Sequence, residues 1–158
     1  MKKTIIIVLG LILVGFVGTC VYRVLSISSV YPPIKKYAYS GSANQLITGV
    51  REYVSTNPNV SFKITDTIGD NNTGYATRVD IELKHQMHYI TYNLQFEEKK
   101  DGMIVKTSIE LLGAYDKTGN IGGYIKEANG VKPLVDVFET DFLVRLKNKQ
   151  NIQIIPTR

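Results

Sequence analysis

The sequence predicts an α+β protein: an N-terminal membrane helix, then α-β-β-β-β-α with an antiparallel four-stranded sheet and helices on one face. Three observations carry this. Residues 5–22 are an apolar run without charge. Two later stretches place apolar residues at helical spacing, and four stretches between them alternate apolar with polar residues, the period of a half-buried strand. The chain then divides into a membrane anchor or signal segment (1–25), a tether (26–42) and a single domain (43–158) of ordinary length.

The anchor is the sharpest signal. Eighteen residues, Ile5 to Tyr22, give about 27 Å of helix, close to the apolar thickness of a bilayer. Ile5, Leu9, Leu13, Phe16 and Val21 line it, and Lys2, Lys3 and Arg23 flank it. Three fates fit this segment. A retained helix with the N-terminus inside and the domain extracytoplasmic is the favoured one. A secretory signal cut near Ser26-Ile27-Ser28 is another. The third rests on Val17-Gly18-Thr19-Cys20, which resembles the lipobox of bacterial lipoproteins, with Thr19 where that pattern carries Gly, Ala or Ser. The resemblance implies lipidation at Cys20.

The tether is rich in Ser and Tyr, and Pro32-Pro33 favours extended chain. A first helix follows. Ser40 or Ser42 can cap it, Leu46, Ile47, Val50, Tyr53 and Val54 share one face, and Asn57-Pro58 ends it. The strands are read from Val60, Phe62, Ile64 and Ile68; from Val79, Ile81 and Leu83; from Ile90, Tyr92, Leu94 and Phe96; and from Val105, Ile109 and Leu111. Asp101-Gly102 marks a hairpin. A second helix follows a loop spanning residues 116–130, with Leu134, Val135, Phe138, Phe142 and Leu146 as its stripe and Pro133 in its first turn. Ile152 and Ile154 suit a short last strand.

Composition narrows the function. Sixteen Lys and Arg against fourteen Asp and Glu follow residue 23, so the domain is nearly neutral and no nucleic-acid partner is expected. The single cysteine lies in the apolar run, leaving the domain without disulfide or thiol nucleophile. His85 and His88 are the only histidines; an i, i+3 pair on extended chain points to opposite faces, so they read as a turn rather than a metal site. The Asp66 to Asp80 stretch lacks calcium-loop spacing. Glu82 and Glu110 share the polar face, where Lys63, Arg78, Lys84 and Lys106 offer charge pairing in preference to acid–base work. No catalytic residue, cofactor or metal is expected.

Two features are read as binding surface. The sheet's open polar face carries Tyr89 with Lys63, Thr91, Asn93 and Lys106. The loop from Gly113 to Tyr124 holds four glycines, with Tyr115 and Tyr124 placed to flank a ligand. Ten tyrosines without a tryptophan supply amphipathic contact area. The leading expectation is a membrane-tethered module of a cell envelope that binds another envelope protein without catalysis. A small-ligand or lipid carrier, and an immunity or exclusion protein, are the alternatives.

Overall fold

Alternation becomes one antiparallel sheet. The computed structural model describes residues 31–70 and 74–157, of which Pro32 onward forms one unit. Seven strands stand among them: β1 (Lys35–Tyr39), β2 (Val60–Asp70), β3 (Gly74–His85), β4 (His88–Asp101), β5 (Ile104–Asp116), β6 (Ile121–Gly123) and β7 (Ile154–Thr157). Their order is β2-β3-β4-β5-β1-β7, with β6 beside β5. The fold is thus α+β with an antiparallel sheet, but larger than the four strands expected.

The difference lies in short strands. β1 falls in the stretch read as tether, where Lys35 and Lys36 mask the alternation. Tyr37 fixes it: the side chain is fully buried, its ring meets Phe138 edge-on at 5.9 Å, and its hydroxyl donates to Glu139 Oε1 at 3.1 Å. Burial, with Glu139 beside it, pushes the Tyr37 hydroxyl well above its ordinary pKa. β1 then inserts between β5 and β7, pairing Tyr37 with Ile109 on one side and Pro156 on the other. The proline stands on the outermost strand, where its missing N–H interrupts no inner ladder.

The expected anchor residues and Cys20 lie outside the described residues. Among those described, no helix is long and apolar enough to cross a membrane.

Helix α1 (Ala43–Ser55) starts at Ser42, whose hydroxyl accepts from the Gln45 amide while the Gln45 side chain accepts from the Ser42 amide. This reciprocal capping satisfies two otherwise orphaned donors. The second helical run is continuous from Val131 but changes pitch: α2 (Val131–Val137), a π-helical segment (Phe138–Leu143), then α3 (Val144–Gln150). Its sequence explains the change. Leu134, Phe138, Phe142 and Leu146 recur every four residues, and in an α-helix each such step drifts about 40° around the axis. The wider π turn offsets that drift, so all four stay buried. Phe138 and Phe142 stack at 5.3 Å, and Tyr53 of α1 meets Phe142 edge-on at 5.8 Å.

Both helical runs contribute to one core with the inward residues of β3, β4 and β5. Tyr92 is fully buried there, and its hydroxyl donates to the Leu134 carbonyl at 2.8 Å. Each large side chain buried in this way contributes roughly 1.5–3 kcal/mol. The opposite face of the sheet is left open.

Candidate functional site

A single extra residue in β5 creates the site. Asn93 pairs with Gly113 and Leu94 with Leu111, so Leu112 is unmatched. Before this bulge the odd residues Thr107, Ile109 and Leu111 are buried; beyond it the buried side chains are those of Ala114 and Asp116. The bulge therefore turns Tyr115 to the open face. Simple alternation from Ile109 would have placed it in the core.

Beyond β5 the chain folds back. Residues 117–120 form a turn at the end of the β4–β5 ladder, and β6 returns along β5, pairing Gly122 with Tyr115. Gly122 has φ 113°, and a Cβ there would overlap the Ala114 carbonyl, so this turn needs glycine. The buried Asp116 carboxylate pins this turn, accepting from the Thr118 amide at 2.9 Å and meeting His88 Nδ1 at 2.7 Å. Burial alone would raise its pKa, but hydrogen bonds from the Gly119 amide, His88 and the Thr118 amide outweigh it and hold the carboxyl below its ordinary value. From the other side the Lys117 amide donates to the Tyr89 carbonyl at 3.0 Å, and the Tyr89 amide to Thr118 Oγ1 at 3.2 Å.

Gly113 makes room for Tyr124 on the open face. A Cβ at this position would come within 2.8 Å of both the Tyr124 ring and Asn93 Oδ1, so the ring lies over the bare backbone. Tyr124 then meets Tyr115 edge-on, with centroids 4.9 Å apart and planes at 74°. Burial, reinforced by the Tyr124 hydroxyl, pushes the Tyr115 hydroxyl above its usual range.

A groove of about 560 Å³ results, lined by Asp80, Thr91, Asn93, Tyr115, Lys117 and Tyr124 among others. That volume falls within the range of small-molecule sites. Its polar groups are fixed in advance. Asn93 Nδ2 donates to Asp80 Oδ1 at 2.7 Å. Lys117 Nζ meets Glu82 Oε1 at 2.6 Å, and this hydrogen bond, opposed by partial desolvation, holds the Glu82 carboxyl below the usual range.

The sequence-predicted residues fall into two groups. Tyr115 and Tyr124 are in contact inside the groove. Tyr89 lies two residues from Thr91, the cross-strand partner of Tyr115, and Lys63 faces Asp80 across β2 and β3. Lys106 shares the open face but sits opposite Lys99, ten residues along β4 from Tyr89, or about 33 Å away. Lys117, Asp80 and Asn120 were not singled out from sequence. The available signal was Leu111-Leu112-Gly113, two apolar residues and a glycine that break alternation and mark a bulge.

The histidines also differ from expectation. The two-residue turn Gln86-Met87, with Gln86 at φ 55°, makes His85 and His88 cross-strand partners on the same face. They do not converge on one another: His85 Nδ1 meets Asp141 Oδ2 at 2.5 Å, and His88 goes to Asp116. No group of three metal-ligating side chains gathers among the described residues. Glu82 and Glu110 are separated as well. Glu110 pairs with Lys36 at 2.8 Å, four residues along β4 from the row that holds Glu82. Charge pairing does occupy both carboxylates, but through Lys117 and Lys36 rather than the four cations expected.

Comparison with protein-family models, with curated proteins and with solved structures found no match to this chain.

Proposed function

We propose that this protein is a non-catalytic binding module, tethered to a membrane of a bacterial cell envelope and using the open-face groove as its contact surface. The apolar run at residues 5–22 supports the tether, and the favoured orientation puts the domain outside the cytoplasm. The observation that carries the binding reading is the groove itself. A bulge, a glycine-dependent return strand and a buried carboxylate combine to hold Tyr115, Tyr124, Asn93 and Asp80 on a face that the core does not need. The space between helices and sheet is filled by Tyr37, Tyr92, Phe138 and Phe142, which favours this outer surface over an internal carrier pocket. Tethering would raise the local concentration of the module at an envelope partner.

Site-specific photocrosslinking in intact membranes tests the proposal. A photoreactive residue at position 124 is expected to give a discrete adduct, and one at position 106 none. Adducts at 106 alone, or at neither position, would overturn it.

A further inference from the structure

We infer that the groove's ligand is an uncharged glycan, bound through one or two pyranose rings; this rests on the groove being the contact surface. The groove is a small array set by strand spacing. One row crosses the sheet as Asp80, Asn93 and the Tyr124 ring over Gly113; the next brings Thr91 and Tyr115, with Glu82 beyond Thr91 just outside the groove. Neighbouring strands are about 4.8 Å apart, so each row spans about 10 Å from carboxylate to aromatic ring. Planar acceptors and donors at one end and tyrosine rings at the other match the two surfaces of a sugar. Its hydroxyls bond to carboxylate and amide, and its C–H face lies on an aromatic ring.

Charge narrows the class. Glu82 engages the Lys117 ammonium, while the Asp80 carboxylate is bonded to the neutral Asn93 amide. Among the described residues no ion pair joins Asp80 to a cation inside the groove; Lys63 is its cross-strand neighbour on β2. A phosphorylated or carboxylated ligand would meet this carboxylate directly, whereas a sugar hydroxyl would donate to it in a charge-assisted bond. The apolar lining is limited to the two rings and Ile121, too little for an acyl chain. Tyr124 is half-exposed, so its ring is available to an incoming ligand.

The test uses the full chain in lipid nanodiscs, since glycoside detergents would compete. Tetrasaccharides of N-acetylglucosamine, glucose and mannose are titrated by calorimetry, with saturation-transfer NMR reporting which sugar protons touch the protein. Saturable binding of at least one is expected. Tyr124→Leu should weaken it about tenfold, the scale of a lost aromatic contact. Asp80→Asn should weaken it by a similar factor, while Lys106→Ala leaves it within about twofold. Circular dichroism confirms that each variant is folded. Failure of every tetrasaccharide to bind, or binding that survives both groove variants, overturns the glycan assignment. If crosslinks at position 124 persist with a purely proteinaceous adduct, the groove reading stands and the glycan falls. If neither crosslink nor sugar binding is seen, both fall.

Discussion

The two faces of this sheet are made by the same residues in alternation, yet they are finished by opposite means. The inner face is closed by aromatic mass: Tyr37, Tyr92, Phe138 and Phe142 are all fully buried, and the polar atoms they bring find partners at Glu139 and the Leu134 carbonyl. On the outer face, absence of side-chain mass does the shaping. Gly113 and Gly122 allow Tyr124 and β6 to approach the backbone, and the resulting groove is lined with polar groups held by one another. The lesson is a separation of stability from recognition. The inner face can be weakened without altering the groove, and the groove can be altered at small cost to the fold.

The largest effect should come from the inner face. Phe138→Ala removes a ring that touches Tyr37, Tyr92 and Phe142, and a loss of about 3–5 kcal/mol is expected in urea denaturation. The crosslinking pattern at position 124 should be unchanged in the fraction that remains folded. A variant that kept its stability would break the contrast between the faces.

Gly122→Ala attacks the groove's frame. The new Cβ would overlap the Ala114 carbonyl at a φ that L-residues rarely adopt, with an expected cost of about 1–3 kcal/mol. Faster amide exchange should be confined to residues 114–123. Exchange that rose equally in α1 would show that the frame and the core are not separable.

Asp116→Asn should have the smallest effect at neutral pH, about 1 kcal/mol, through loss of charge-assisted hydrogen bonds. Its pH dependence is more telling. A carboxyl whose folded pKa is depressed stabilises the fold above its unfolded value of 3.8 and loses that contribution as pH falls toward its folded value. The wild type should therefore weaken below about pH 4, and the variant should show a shallower acid limb. Glu82 shifts in the same direction, so the limb should be reduced and not abolished.

Legibility in the sequence followed the same division. The inner face was readable because burial imposes a period: Leu46, Ile47, Val50 and Tyr53 on α1, and Ile90, Tyr92, Leu94 and Phe96 on β4, all lie where their spacing puts them. β1 was not readable, since one buried tyrosine between lysines makes no period. The groove was readable only in part. Tyr115 and Tyr124 stood out as aromatics in a glycine-rich stretch, but their contact depends on the unmatched Leu112 and on a return strand of three residues. Lys117 carries no local signal at all, because its partner Glu82 lies thirty-five residues earlier in the chain.

The most direct measurement is tyrosine labelling, comparing full-length protein in nanodiscs with protein in intact envelopes. Mild nitration or hydroxyl-radical footprinting would be read at Tyr124 and Tyr89, with acylation of Lys106 as the reference. Tyr124 should react readily in nanodiscs and be protected in envelopes, while Lys106 reacts equally in both. Equal reactivity of Tyr124 in the two settings, or protection of Lys106 in its place, would contradict the claim that this groove is where the protein makes its contact.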